Sequence, residues 1–384
     1  MHMRSNISCT MFERLPIEVL NLIATNLVDG DFKTLFNSRL VCRLLNAVAE
    51  PAVFASLSLG GAHMGELEYP VQRLQTLAAG ATPYTRWAHT LLIEQGGLYP
   101  SLKGSNSSEE RVQKALQDCQ DVLVPAIISL SNLKCARFRM ERRDPYDGVL
   151  HALSVLPKLA ELSLAFGWDL ETAPASLAQF TNLQVLHLAG WRLFPSFLDA
   201  IRGMLARGSN RLEELILLPY VWPTTRQQWL TEGSTVGELR CVPLQRIAGD
   251  AIFPLLKKLV VDASGIKLSG GCGTTFRTLT HLEILFGTQD NVGSGFWQSL
   301  ENAGVCLEAL SVFPVTKSVS NYLTSYSGLR ILRLCHAPGH VAPPSPRRRS
   351  RRYGSQTFPR HPSETSSYSS TSRLRRRQVR RVRT

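Results

Sequence analysis

The chain has 384 residues and 44% hydrophobic content, enough for two or three domains of ordinary soluble composition. Its formal charge of +13 looks like a nucleic-acid signature, but residues 343–384 alone hold thirteen Arg and one Glu, and the remaining 30 basic and 29 acidic residues leave the body near neutrality. Eight cysteines at positions 9, 42, 119, 135, 241, 272, 306 and 335 include no close pair, which excludes a zinc knuckle or redox dithiol and implies reduced, mostly buried thiols.

From the N-terminus, residues 1–16 lack the apolar run of a signal peptide, and the longest apolar stretch, 122–128, is short and interrupted by Pro125. The expectation is a soluble protein with no membrane contact, cytoplasmic and/or nuclear. Residues 15–54 then read as a compact helical module, too small to bury much core alone and expected to finish its packing against a partner. Pro16 stands where a helix begins. Val19, Leu20, Ile23 and Leu27 follow at helical spacing, Asp29-Gly30-Asp31 breaks the helix, and Leu40, Val41, Leu44, Leu45 and Val48 build a second one that ends near Pro51.

The ordered set Leu15-Pro16, Glu18, Leu20, Ile23 and Leu27, then Val41-Cys42-Arg43 with Pro51 and Phe54, resembles the F-box, through which substrate receptors dock onto the Skp-type adaptor of SCF ubiquitin ligases. Many family members carry Trp or Phe after the Val-Cys-Arg step, where this chain has Leu44-Leu45. The resemblance implies an adaptor-binding face made by Leu15, Pro16, Val19, Leu20, Ile23, Leu27, Leu40, Val41 and Leu45, and through the adaptor a cullin scaffold.

Two longer helices, 66–80 and 109–130, link this module to a repeat. The form L-x-x-L-x-L recurs from Leu159 (LAELSL), with first positions at 183, 212, 256, 282, 307 and 329, after a weaker copy at 133 and a candidate first strand at 88–93. Leucine-rich repeats have this period, each a short strand followed by a helix or helical turn. The gap between 212 and 256 reads as an insertion; LRCVPL at 239 is the other candidate repeat, with a proline against it. Helices are expected at 195–207, 294–302 and 319–326. Together with the F-box these repeats resemble the F-box and leucine-rich-repeat substrate receptors widespread in fungi and other eukaryotes.

Strand alternation places Glu161, Ser163, Val185, His187, Glu214, Ile216, Lys258, Val260, Ile284, Phe286, Ala309, Ser311, Ile331 and Arg333 on the open face. Beyond the strand ends, Trp168, Trp191, Tyr220, Trp222 and Phe313 are either hot spots on a client-binding rim or plugs of the loop layer. Trp168, Trp191, Tyr220 and Trp222, with His187 and Phe286, make the candidate client site. Catalytic signals are lacking: GGCGTT at 270–275 has no following lysine, and no H-E-x-x-H or G-x-S-x-G occurs. The expectation is a non-enzymatic chain needing no cofactor or metal.

From about 343 the chain turns into an Arg-, Ser- and Pro-rich tail expected to be disordered and suited to nuclear import or weak polyanion binding, or to be a functionless extension. The fold class is thus α/β: an N-terminal all-helical F-box (12–56), a helical linker with the N-terminal part of the repeat domain (57–132), a leucine-rich-repeat solenoid (133–340) and a disordered basic tail (341–384). The implied function is client recognition in an SCF-type ubiquitin ligase, with the client unknown. The alternative is a leucine-rich-repeat scaffold that binds nuclear partners or nucleic acid through its tail.

Overall fold

The computed structural model describes residues 14–59, 68–93, 109–140, 146–167, 170, 172–191, 195–219, 241–270, 273–285, 292–312, 315–325 and 328–334. The tail therefore lies outside the described residues.

The described residues open with three helices, α1 (Ile17–Gly30), α2 (Phe32–Ser38) and α3 (Arg43–Val53). Pro16 occupies the cap position of α1, one residue before the helix. Asp31 ends α1 and caps α2, its carboxylate accepting from the Thr34 N–H at 3.1 Å; the Thr34 hydroxyl and N–H together hold that carboxyl below its usual range. The break expected at Asp29-Gly30-Asp31 falls at Asp31 alone and α2 follows at once, so the described module has three helices where two were expected. Leu40 and Val41 lie in the turn before α3 rather than within it. Nor does α3 stop at Pro51: it runs on to Val53, because a proline in the last turn removes only one backbone bond while Val48, Ala49 and Val53 gain burial. Those three side chains, with Leu20, Ala24 and Leu35, form the module's small core, each large one contributing about 1.5–3 kcal/mol.

Directly after α3, β1 (Ser56–Leu59) opens a parallel ladder, one strand earlier than the candidate at 88–93. The strands that follow are β2 (Thr90–Ile93), β3 (Cys135–Met140), β4 (Glu161–Phe166), β5 (Val185–Ala189), β6 (Glu214–Leu218), β7 (Val242–Pro243), β8 (Lys258–Asp262), β9 (Ile266–Lys267), β10 (His281–Leu285), β11 (Ala309–Val312) and β12 (Ile331–Leu334). Ten of them form one sheet in chain order, with β7 and β9 set apart as a two-stranded sheet. Register lines up one row across it, buried from Leu57 through Leu91, Ala136, Leu162, Leu186, Leu215, Leu259 and Leu282 to Leu310 and ending on the exposed Leu332. A second row two residues on includes Leu164, Leu188, Leu217, Val261 and Ile284. The repeat expected to start at Leu282 is therefore read three residues late. Its first leucine is Leu279, and Leu282 and Ile284 face the core.

Helices bring the apolar sides that cover these rows. They are α4 (Glu68–Ala78), α5 (Pro83–Trp87), α6 (Glu109–Ile128), α7 (Tyr146–Ser154), α8 (Pro195–Gly208), α9 (Leu244–Ala248), α10 (Ser294–Asn302) and α11 (Lys317–Thr324), with a 3-10 turn at Ala175–Gln179. Their buried side chains, such as Phe197 and Ile201 of α8 and Phe296 and Trp297 of α10, join both leucine rows in one continuous core. β6 pairs directly with β8, so LRCVPL adds no strand to the main ladder; its Val242-Pro243 pairs instead with Ile266-Lys267. This is a leucine-rich-repeat-like α/β solenoid, built by stacking units that cannot bury their apolar faces alone.

Tyr322 of α11 shows how adjacent repeats are stapled. It is buried, its ring centroid lies 5.5 Å from that of Trp297, and its hydroxyl donates to the Val305 carbonyl at 2.6 Å. Tyr322→Phe leaves that carbonyl without the bond and is expected to lower stability by about 1–2 kcal/mol in chemical denaturation. An unchanged midpoint would mean that water replaces the hydroxyl.

Candidate functional site

Two surfaces of the described chain lack cover. The first is on the helical module. α1 carries two apolar stripes: Leu20, Ala24 and Leu27, at i, i+4 and i+7, turn inward, while Val19, Leu22 and Ile23 turn outward. Leu20, expected to contact an adaptor, is only 2% exposed and belongs to the module's own core, and Leu27 and Leu45 are partly buried against it. The other expected contacts, Leu15, Pro16, Val19, Ile23, Leu40 and Val41, are exposed, Leu40 to 81%. The structure adds Ile17, Leu22, Phe32 and Phe36, which the sequence reading missed because α2 had not been recognised as a helix and Ile17 and Leu22 lay off the chosen stripe. These large apolar side chains, exposed on the three helices, make this face of the module a candidate docking surface.

Arg39 and Phe54 tie this module together and anchor it. The Arg39 guanidinium lies 4.4 Å from the Phe54 ring and 5.4 Å from that of Phe36, and its Nε donates to Asn46 at 3.2 Å. The Phe54 ring meets Tyr84 of α5 edge-on at 4.8 Å. The module is thereby packed on the beginning of the solenoid.

The second surface is the sheet face opposite the leucine rows. Glu161, Ser163, Val185, His187, Glu214, Ile216, Lys258 and Ala309 lie on it half-buried, as alternation requires, and Ile331 and Arg333 are exposed. Val260 and Ser311 share the face but are buried by their neighbours, and Ile284, placed there by the misread register, is on the opposite, core side. A polar ladder crosses the middle strands: Glu214 Oε1 receives Lys258 Nζ at 2.7 Å and His187 Nε2 at 3.2 Å. Arg137 and Glu161 pair at 3.4 Å. Beside that pair, burial first and Glu161 second push the Cys135 thiol up, keeping it protonated. His187 is thus a sheet-surface group held by a carboxylate. These pairs are partly solvated, so Glu214→Gln is expected to change stability by less than about 1 kcal/mol, with the difference shrinking in high salt; a loss of several kcal/mol would mark the ladder as structural.

Of the aromatics expected on a rim, Trp191 is fully buried behind β5 and belongs to the solenoid core, so the loop-layer alternative holds for it. Among the described residues its indole N–H meets no acceptor. Trp168, Tyr220, Trp222, Phe286 and Phe313 lie outside the described residues. Among the described residues no cluster of His, Cys, Asp or Glu could hold a metal ion, and no helix is long and apolar enough to cross a membrane.

No protein-family model and no curated protein matches the chain. Among solved structures it aligns with the crystal structure of a TLR13–ssRNA13 complex, at 14% sequence identity and a TM-score of 0.32 over 74% of this chain. It spans only 33% of the length of that chain. The leucine-rich-repeat-like architecture rests instead on the strand ladder described above.

Proposed function

We propose that this chain is the substrate-recognition subunit of an SCF-type ubiquitin ligase. In this reading the helical module is an F-box that docks a Skp-type adaptor, and through it a cullin, while the open sheet face captures a client protein. The observation that carries it is the uncovered apolar surface formed by Leu15, Ile17, Val19, Ile23, Phe36, Leu40 and Val41. It sits on the stretch whose residue order resembles the F-box, and its small core fits a module that completes its packing on a partner. The chain contributes no chemistry of its own; holding the client near a transfer machinery raises effective concentration. The cytoplasm and nucleus are the compartments where such a machinery works.

Co-purification of the full chain with a Skp-type adaptor tests the reading. A stable complex is expected. Capture of nucleic acid or nuclear partners that requires residues 343–384, without any adaptor complex, would favour the scaffold reading instead.

A further inference from the structure

β1 and β12 are the two edges of the ladder, and they differ: Leu57 and Leu59 of β1 are buried, whereas the core-side residues of β12 are exposed. β12 pairs with β11 on one side, Leu310 with Leu332 and Val312 with Leu334, and no described strand lies on its other side. In β11 these core positions are 1% and 2% exposed; Leu332 and Leu334 are 36% and 52% exposed, and Ile331 on the opposite face is open too. An apolar strand with a free row of backbone donors and acceptors is a template for another strand, which proteins usually cover or blunt with charge.

Charge selects the occupant. The outermost strand carries Arg333, with Arg330 just before it, whereas the nearby acids are Glu308, just before β11, and Glu283 in β10. Arg330 reaches Glu308 only at 3.9 Å, and Arg333 makes no ion pair among the described residues. Beside the edge, Arg333, Ile331, Ser311 and His281, with Lys258 and Glu283 further in, line a depression of about 180 Å³. A second copy of the chain paired through β12 would bring four arginines together. The chain's arginine-rich segment 343–384 fits no better, since it holds thirteen Arg and one Glu. An acidic strand meets neither obstacle.

We propose that the outer edge of β12 docks an extended acidic segment of a client protein, which adds to the sheet as a further parallel or antiparallel strand. Only the word client rests on the reading above. Backbone pairing supplies affinity, and side-chain alternation supplies specificity. Apolar residues of the segment cover Leu332 and Leu334 on the helix side, and acidic residues between them meet Arg333 on the open side. Specificity of this kind comes from complementary charge across the interface.

The test uses the full chain and a labelled capped hexapeptide alternating valine and glutamate, read by fluorescence anisotropy. Saturable binding is expected, weakened tenfold or more by lysine in place of glutamate, by N-methylation of alternate amides, and by Leu334→Asp or Arg333→Glu in the protein. Both positions are exposed, so the melting temperature of these variants should be unchanged. Equal binding of the N-methylated peptide, which keeps the charge, would mean attraction to the arginines of 343–384 alone and would overturn the proposal. Binding indifferent to both protein variants would do the same, as would a dimer of the chain that the peptide does not dissociate. The peptide assay needs no adaptor, and adaptor capture by the two variants is expected to match wild type. A failure here is thereby separable from a failure of the ligase reading.

Discussion

Trp191→Ala is expected to destabilise the solenoid by about 3 to 5 kcal/mol, the usual range for emptying a large aromatic site in a core. The indole is fully buried, and the chain reaches it through Gly190, whose φ of +70° and N–H bond to the Leu218 carbonyl at 2.8 Å fix the turn after β5. A Cβ on that glycine would clash with the Phe166 carbonyl oxygen, so only glycine fits the turn that delivers the indole to the core. Chemical denaturation followed by tryptophan fluorescence and circular dichroism measures the loss. A variant as stable as wild type but defective in client capture would return Trp191 to the binding rim.

The second large effect separates the module's core from its surface. Leu20→Asp places a carboxylate among Ala24, Leu35, Val48 and Ala49 with no partner there, a change expected to cost several kcal/mol and to unfold the small module. A solenoid transmits little between distant units, so the melting of the repeats should stay the same. Ile23→Asp and Val41→Asp change exposed positions and should leave helix content intact. If the outward face docks an adaptor, each nevertheless lowers capture by tenfold or more, about 1.4 kcal/mol per decade. Hydrogen exchange over residues 17–53 distinguishes the cases: protection lost in Leu20→Asp, retained in the other two. Retained protection in Leu20→Asp would contradict the packing described here.

The repeat was legible because one buried residue type recurs at one spacing, from LAELSL at 159 to LRILRL at 329. Where two leucines three apart both satisfy L-x-x-L, as at Leu279 and Leu282, spacing alone leaves the register open, and only the pairing of Leu282 with Leu259 and Leu310 closes it. The same ambiguity misled the reading of α1. Its inward stripe passes through Ala24, too small to register as core, and its outward stripe through Val19 and Ile23 looks equally helical. α2 was hidden because its cap, Asp31 with Thr34, lies in a cluster of Asp and Gly that by composition reads as a turn. The strand β1 has only four residues and follows a proline-containing helix, which left no pattern long enough to read. The polar ladder around Glu214 was visible as alternation, but which partners it holds depends on strands 44 residues apart in sequence.

On the proposed function, the apolar face of the helical module is built to be covered by an adaptor. Calorimetric titration of the purified full chain with a purified Skp-type adaptor tests it most directly. The expected result is a one-to-one complex with a negative heat-capacity change from buried apolar surface, weakened at least tenfold by Ile23→Asp or Val41→Asp in folded protein. No complex with the wild-type chain, or equal affinity in both folded variants, would contradict it.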